Sequence, residues 1–87
     1  MPKTPRPKIR TIRRRKEWPA EYRWFAVEPS GLGFIYTHRP VLVSRYGFEF
    51  WSIDATDPAS CFMIVHGRWS TARWRSSLRR IAGKVRG

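Results

Sequence analysis

The sequence predicts an α+β fold: a small antiparallel sheet of three to five strands, packed by one C-terminal α-helix and preceded by a disordered basic arm. Three observations predict it. Between about residues 20 and 66, short runs of alternating residues are separated by turn residues. After Ser70 the apolar residues fall at helical spacing instead. Ahead of both, residues 1 to 16 hold three prolines, two isolated isoleucines and eight cations with no acid, too little apolar surface to order a chain. The chain of 87 residues therefore divides into a flexible arm at 1–17 and one domain at 18–87, with the sheet at about 20–66 and the helix at about 70–83.

Along the sheet region, Tyr22, Trp24 and Ala26 share one face, and Arg23, Phe25 and Val27 share the other. Pro29-Ser30-Gly31 turns the chain, and Leu32, Phe34 and Tyr36 line a face of the next strand, so the two runs form a hairpin. Pro40 cannot donate to a ladder, which makes Val41-Leu42-Val43 an edge or a bent continuation. Arg45-Tyr46-Gly47 is a second turn. Phe48 to Ile53 is apolar on both faces and is expected centrally in the sheet. Asp54 to Ser60, with the turn pair Asp57-Pro58, connects to Cys61-Phe62-Met63-Ile64-Val65, the most hydrophobic stretch and the expected innermost strand. His66-Gly67 ends it. Ser70 is a good N-cap for a helix over Thr71 to Ala82, and Gly83 is a natural stop. On that helix Trp74, Leu78, Ile81 and Val85 make a narrow stripe facing the sheet.

Charge is sorted along the chain, whose net charge is +12. Residues 1 to 16 carry eight cations and residues 68 to 87 seven, with no acid in either block, whereas the middle holds three arginines against six acids. That layout points to a polyanionic partner for the ends. Arginine outnumbers lysine fourteen to four, and its planar fork pairs with phosphate and stacks on bases. A genome rich in G+C would also raise arginine. On the helix, Arg75, Arg79 and Arg86 flank one side of the apolar stripe, and Arg73, Arg80 and Lys84 the other, with the small Ala72, Ser76 and Gly83 opposite the core. Two basic flanks beside a low ridge suit close approach to a nucleic-acid groove.

The expected function is non-catalytic binding of nucleic acid, DNA or RNA. The arm would contribute Arg10, Arg13, Arg14, Arg15 and Lys16, and the C-terminal part Arg68, Arg73, Arg75, Arg79, Arg80, Lys84 and Arg86. Trp18, Tyr46 and Trp69, at element ends or turns, are the candidates for base stacking. In element order alone the chain resembles small DNA readers such as plant AP2-type domains and the arm-binding domains of phage integrases. The alternative is a small phage-type or mobile-element inhibitor that binds a host nucleic-acid-processing complex, such as an RNA polymerase or a CRISPR effector. A third reading is a small ribonuclease using His38 and His66 with Glu49 and Arg45.

Other classes find less support. Gly31-Leu32-Gly33 lacks the rest of a phosphate loop, and one cysteine with two histidines matches no zinc spacing, so no cofactor or metal is expected. Cys61 alone forms no internal disulfide and suits a reducing compartment. No apolar run is long enough for a bilayer, and the N-terminus lacks a signal peptide's apolar stretch. The expectation is a soluble protein without a membrane partner, cytoplasmic, or nucleoid- or nuclear-associated.

Overall fold

A computed structural model describes residues 9–54 and 56–83. Its strands are β1 (Thr11–Arg13), β2 (Trp24–Val27), β3 (Gly33–Tyr36), β4 (Val41–Arg45), β5 (Phe48–Ser52), β6 (Phe62–Val65) and β7 (Arg79–Ala82), with one 3₁₀ turn at Trp74–Ser76. Five strands form a sheet in the order β1-β7-β2-β3-β6, and β4 pairs with β5 as a separate ribbon. Every pairing is antiparallel except that of β1 with β7, which is parallel.

The expected hairpin is present as β2 and β3, with Trp24 opposite Tyr36 and Val27 opposite Gly33. Its alternation puts apolar side chains on both faces, and both faces are covered. On one, Phe25, Val27, Ile35, Val65 and Ile81 pack with Trp18 and Tyr22, joined by Ile12 and Trp69. On the other, Ala26 and Tyr36 meet Trp51 from the ribbon, with Trp24, Phe34, Ile53, Trp74 and Leu78 around them. The ribbon is fastened there by Trp51, whose indole N–H donates to the Trp74 carbonyl at 3.2 Å. Tyr46 and Gly47, both at positive φ (54° and 79°), close the ribbon with a two-residue turn of the kind that matches strand twist.

Four expectations are corrected. The first is the helix over 70–83: the described residues contain no α-helix, and Thr71 to Ala82 makes the 3₁₀ turn and then strand β7. A few apolar residues fit periods of 3.6 and 2 equally well. Leu78 and Ile81, neighbours on the helical stripe, pack on opposite faces of the sheet. A helix would also align Arg75 with Arg79 and Arg80 with Lys84 as like charges four apart. As a strand, the segment instead fills the gap between β1 and β2 and buries Ile81. Ser77 fixes the junction: its hydroxyl accepts the Val27 N–H at 2.8 Å and donates to the Trp74 carbonyl at 2.6 Å. The resemblance to helix-bearing DNA readers falls with the helix.

The second correction concerns the arm. Thr11–Arg13 is an ordered edge strand, with Ile12 opposite Ile81. Residues 1–8 lie outside the described part. Pairing with β7 supplies the backbone partners and burial that residues 9–16 lack by themselves. Third, β5 belongs to the ribbon rather than the sheet centre. Its two apolar faces are used differently: Trp51 is buried, while Phe48 is 70% exposed. Fourth, β6 is an edge strand with Phe62, Met63 and Ile64 exposed and only Val65 buried. An unbroken apolar run measures hydrophobicity, whereas depth depends on which strand edges are paired, and β7, β2 and β3 take the inner places.

Candidate nucleic-acid interface

The pairing of β7 with β2 sets Arg80 opposite Trp24. The Arg80 guanidinium lies 5.2 Å from the Trp24 ring centroid, and that of Arg39, just beyond β3, lies 5.5 Å from the same ring. Cross-strand pairing of Arg13 with Ala82 and Thr11 with Arg80 places Arg13 and Arg80 on one face of the sheet. Beside Trp24 opens a cleft of about 640 Å³ lined by Arg14, Arg23 and Arg80 with Ala20, Ile81 and Gly83, and no carboxylate lines it. Arg14 is fixed in its wall, donating to the Pro19 carbonyl at 2.9 Å and the Tyr22 carbonyl at 2.8 Å. Its Nε is buried without a hydrogen-bond partner among the described residues. Arg39 and Arg80 thus converge on the Trp24 ring, and Arg14 and Arg23 line the cleft beside it.

Chemically, such a group is able to hold an anion. Guanidiniums offer forked donors, and a flat ring beneath them limits the orientations they lose on binding. Trp24 acts as a platform for its two arginines.

The residues singled out in the sequence are distributed unevenly. Arg80 and Arg14 belong to the site, and Arg10 and Arg13 lie exposed on or beside the neighbouring strand, where the Arg10 carbonyl accepts the Arg80 N–H. Arg15 is committed elsewhere: it donates to the His66 carbonyl at 2.7 Å and covers the rings of Trp18 and Trp69 at 5.4 and 5.1 Å. Arg75 is held by Glu49 at 2.6 Å, and that pairing holds the Glu49 carboxyl below its usual range. Arg79 donates to the carbonyls of Ser76 and Leu78. Lys16, Arg68 and Arg73 are exposed and dispersed. Lys84 and Arg86 lie outside the described residues. With no helix, the two basic flanks read around its stripe do not exist as such.

The three stacking candidates differ as sharply. Trp18 is buried and stacks with Phe25 at 6.3 Å, so its ring offers no face to a base. Trp69 is half-buried, 4.6 Å from Phe25, and lies against Gly33. Tyr46 stands 94% exposed at the ribbon tip. Sequence reasoning missed Trp24, Arg23 and Arg39. The signal was an aromatic residue flanked by basic positions, and it required knowing that β7 pairs with β2.

Two residues of the ribonuclease reading have defined side-chain partners. His38 Nε2 lies 3.0 Å from Asp57, its Nδ1 lies 2.8 Å from the Thr37 hydroxyl, and Glu49 faces Arg75 rather than Arg45. No cluster of three or more His, Cys, Asp or Glu side chains suited to a metal occurs among the described residues. No helix among them is long and apolar enough to cross a membrane. No family model, curated protein or solved structure matches the chain.

Proposed function

We propose that the chain is a non-catalytic nucleic-acid-binding protein whose phosphate grip centres on Arg39, Arg80 and Arg23 around Trp24. The observation that carries this reading is the convergence of guanidiniums on one ring beside a cleft without a carboxylate lining. The parallel pairing of β1 with β7 adds to it by setting Arg10 and Arg13 beside Arg80, which brings cations from the two ends of the sequence together. Arginines held in place lose less freedom on meeting phosphate than flexible ones.

The test is a mobility-shift titration with duplex and single-stranded oligonucleotides. Arg39→Ala with Arg80→Ala should weaken binding to every sequence alike, as expected of phosphate contacts that carry no base information. Unchanged affinity removes this site from the interface.

A second reading has its own support. Tyr46, Phe48, Val41 and Leu42 leave the ribbon strongly apolar toward solvent, which suits a protein partner such as a host nucleic-acid-processing complex. Binding anchored by such residues would persist at high salt, whereas a phosphate grip would not.

A further inference from the structure

We propose that the open cavity lined from β3, β5 and β6 binds the alkylated ammonium head of an organic cation, held between aromatic rings and the Glu28 carboxylate. The inference is independent of the nucleic-acid reading. The cavity measures about 600 Å³, a size that suits a small ligand or a protruding side chain. Phe34, Tyr36 and Phe62 form one wall, with ring centroids 6.0–6.4 Å apart. Trp51 of β5 contributes from the ribbon. Such rings present a negative quadrupole to a cation near their faces.

Glu28 makes the cavity selective. Its Oε1 accepts the Trp51 N–H at 3.3 Å, so the carboxylate is fixed among the rings. Asp57 stands at the rim, 3.0 Å from His38 Nε2. No lysine or arginine lines the cavity, although the chain carries 18 of them. An anion would meet Glu28 without a counter-charge, and a neutral apolar ligand would leave that carboxylate desolvated with only the Trp51 N–H and the Tyr36 hydroxyl to offset it. A cation satisfies both conditions. The side chains of Phe34, Trp51 and Phe62 offer no hydrogen-bond acceptor to an N–H of a primary ammonium, whereas the methyl groups of an alkylated head pack on those rings.

The test is a two-dimensional NMR titration of the full chain with choline and with a peptide carrying trimethyllysine, which share the head and differ in source. Both should give saturable shifts confined to Glu28, Trp51 and the residues around Phe62, and the tighter ligand identifies the source. The neutral isostere 3,3-dimethylbutan-1-ol should bind at least about tenfold more weakly. Glu28→Gln keeps an acceptor for the Trp51 N–H and should lose choline by a similar factor while the rest of its spectrum stays unchanged. Phe62 is 59% exposed, so Phe62→Ala gives a second variant able to fold, and it should also weaken binding. Equal binding of the isostere overturns the proposal. So does the absence of saturable shifts up to about 10 mM, or selective binding of adenosine in place of both cations.

Discussion

Single residues decide several features of this fold. Gly33 in β3 packs directly beneath Trp69: a Cβ there would meet the indole Nε1 at 2.5 Å and Cδ1 at 2.9 Å. Gly33→Ala should therefore destabilise the protein by about 1–3 kcal/mol, read as a lower urea midpoint. Tyr46 shows the reverse case, a bulky residue at φ 54° in a turn that favours glycine or asparagine. Tyr46→Gly should stabilise the protein by about 0.5–1 kcal/mol, read as a higher urea midpoint, since nothing at the ribbon tip holds the ring. Glu28 sets a pH dependence. Desolvation raises its carboxyl above the ordinary 4.5, partly opposed by the Trp51 N–H and the Tyr36 hydroxyl. The folded state therefore holds this proton more tightly than the unfolded one. Stability from this group is fully present below the ordinary value and is lost as pH rises through the folded one. Glu28→Gln should melt at a higher temperature than the parent near pH 7, with the gain vanishing at about pH 4. A gain that persists in acid would contradict this account.

At the scale of elements, the decisive strand is β7. It joins β1 to the rest of the sheet and brings Arg80 to Trp24. If β1 is integral, removing residues 1–13 strips an edge from β7 and uncovers Ile81, and the urea midpoint should fall. A dispensable tail would leave the midpoint where it was. The β2–β3 hairpin was legible because its information is local, in the alternation of Trp24 and Ala26 against Phe25 and Val27 and a Pro-Ser-Gly turn, although Tyr22, expected on the Trp24 face, precedes the strand and packs with Phe25. The ribbon turn at Tyr46-Gly47 was legible for the same reason. β7 was not. Its apolar residues are few, and its state depends on two strands more than fifty residues earlier, a contact that no local period records. The misplacing of β5 and β6 has the same origin, because pairing order is a property of the assembled sheet. The site inherited that error: Arg80 was visible as a cation, but its grouping with Trp24 and Arg39 exists only across strands.

Across the whole molecule, the sorted charge was legible, and its spatial outcome was not. One part of each cationic block, Arg10 and Arg13 from the first and Arg80 from the second, lies side by side because β1 runs parallel to β7. Like charges so arranged repel, so added salt should raise the melting temperature of the free protein while lowering its affinity for nucleic acid. Thermal scans across a salt series check the first half, and a melting temperature that falls with salt would contradict it. The second half bears on the central claim, that guanidiniums gathered around Trp24 grip phosphates. The most direct measurement is fluorescence anisotropy of a labelled oligonucleotide between about 50 and 200 mM salt, for the parent and for Arg39→Ala with Arg80→Ala. The account predicts a log-linear loss of affinity for the parent and a slope shallower by about two phosphate contacts for the variant. Identical slopes for the two proteins, or binding indifferent to salt, would contradict it.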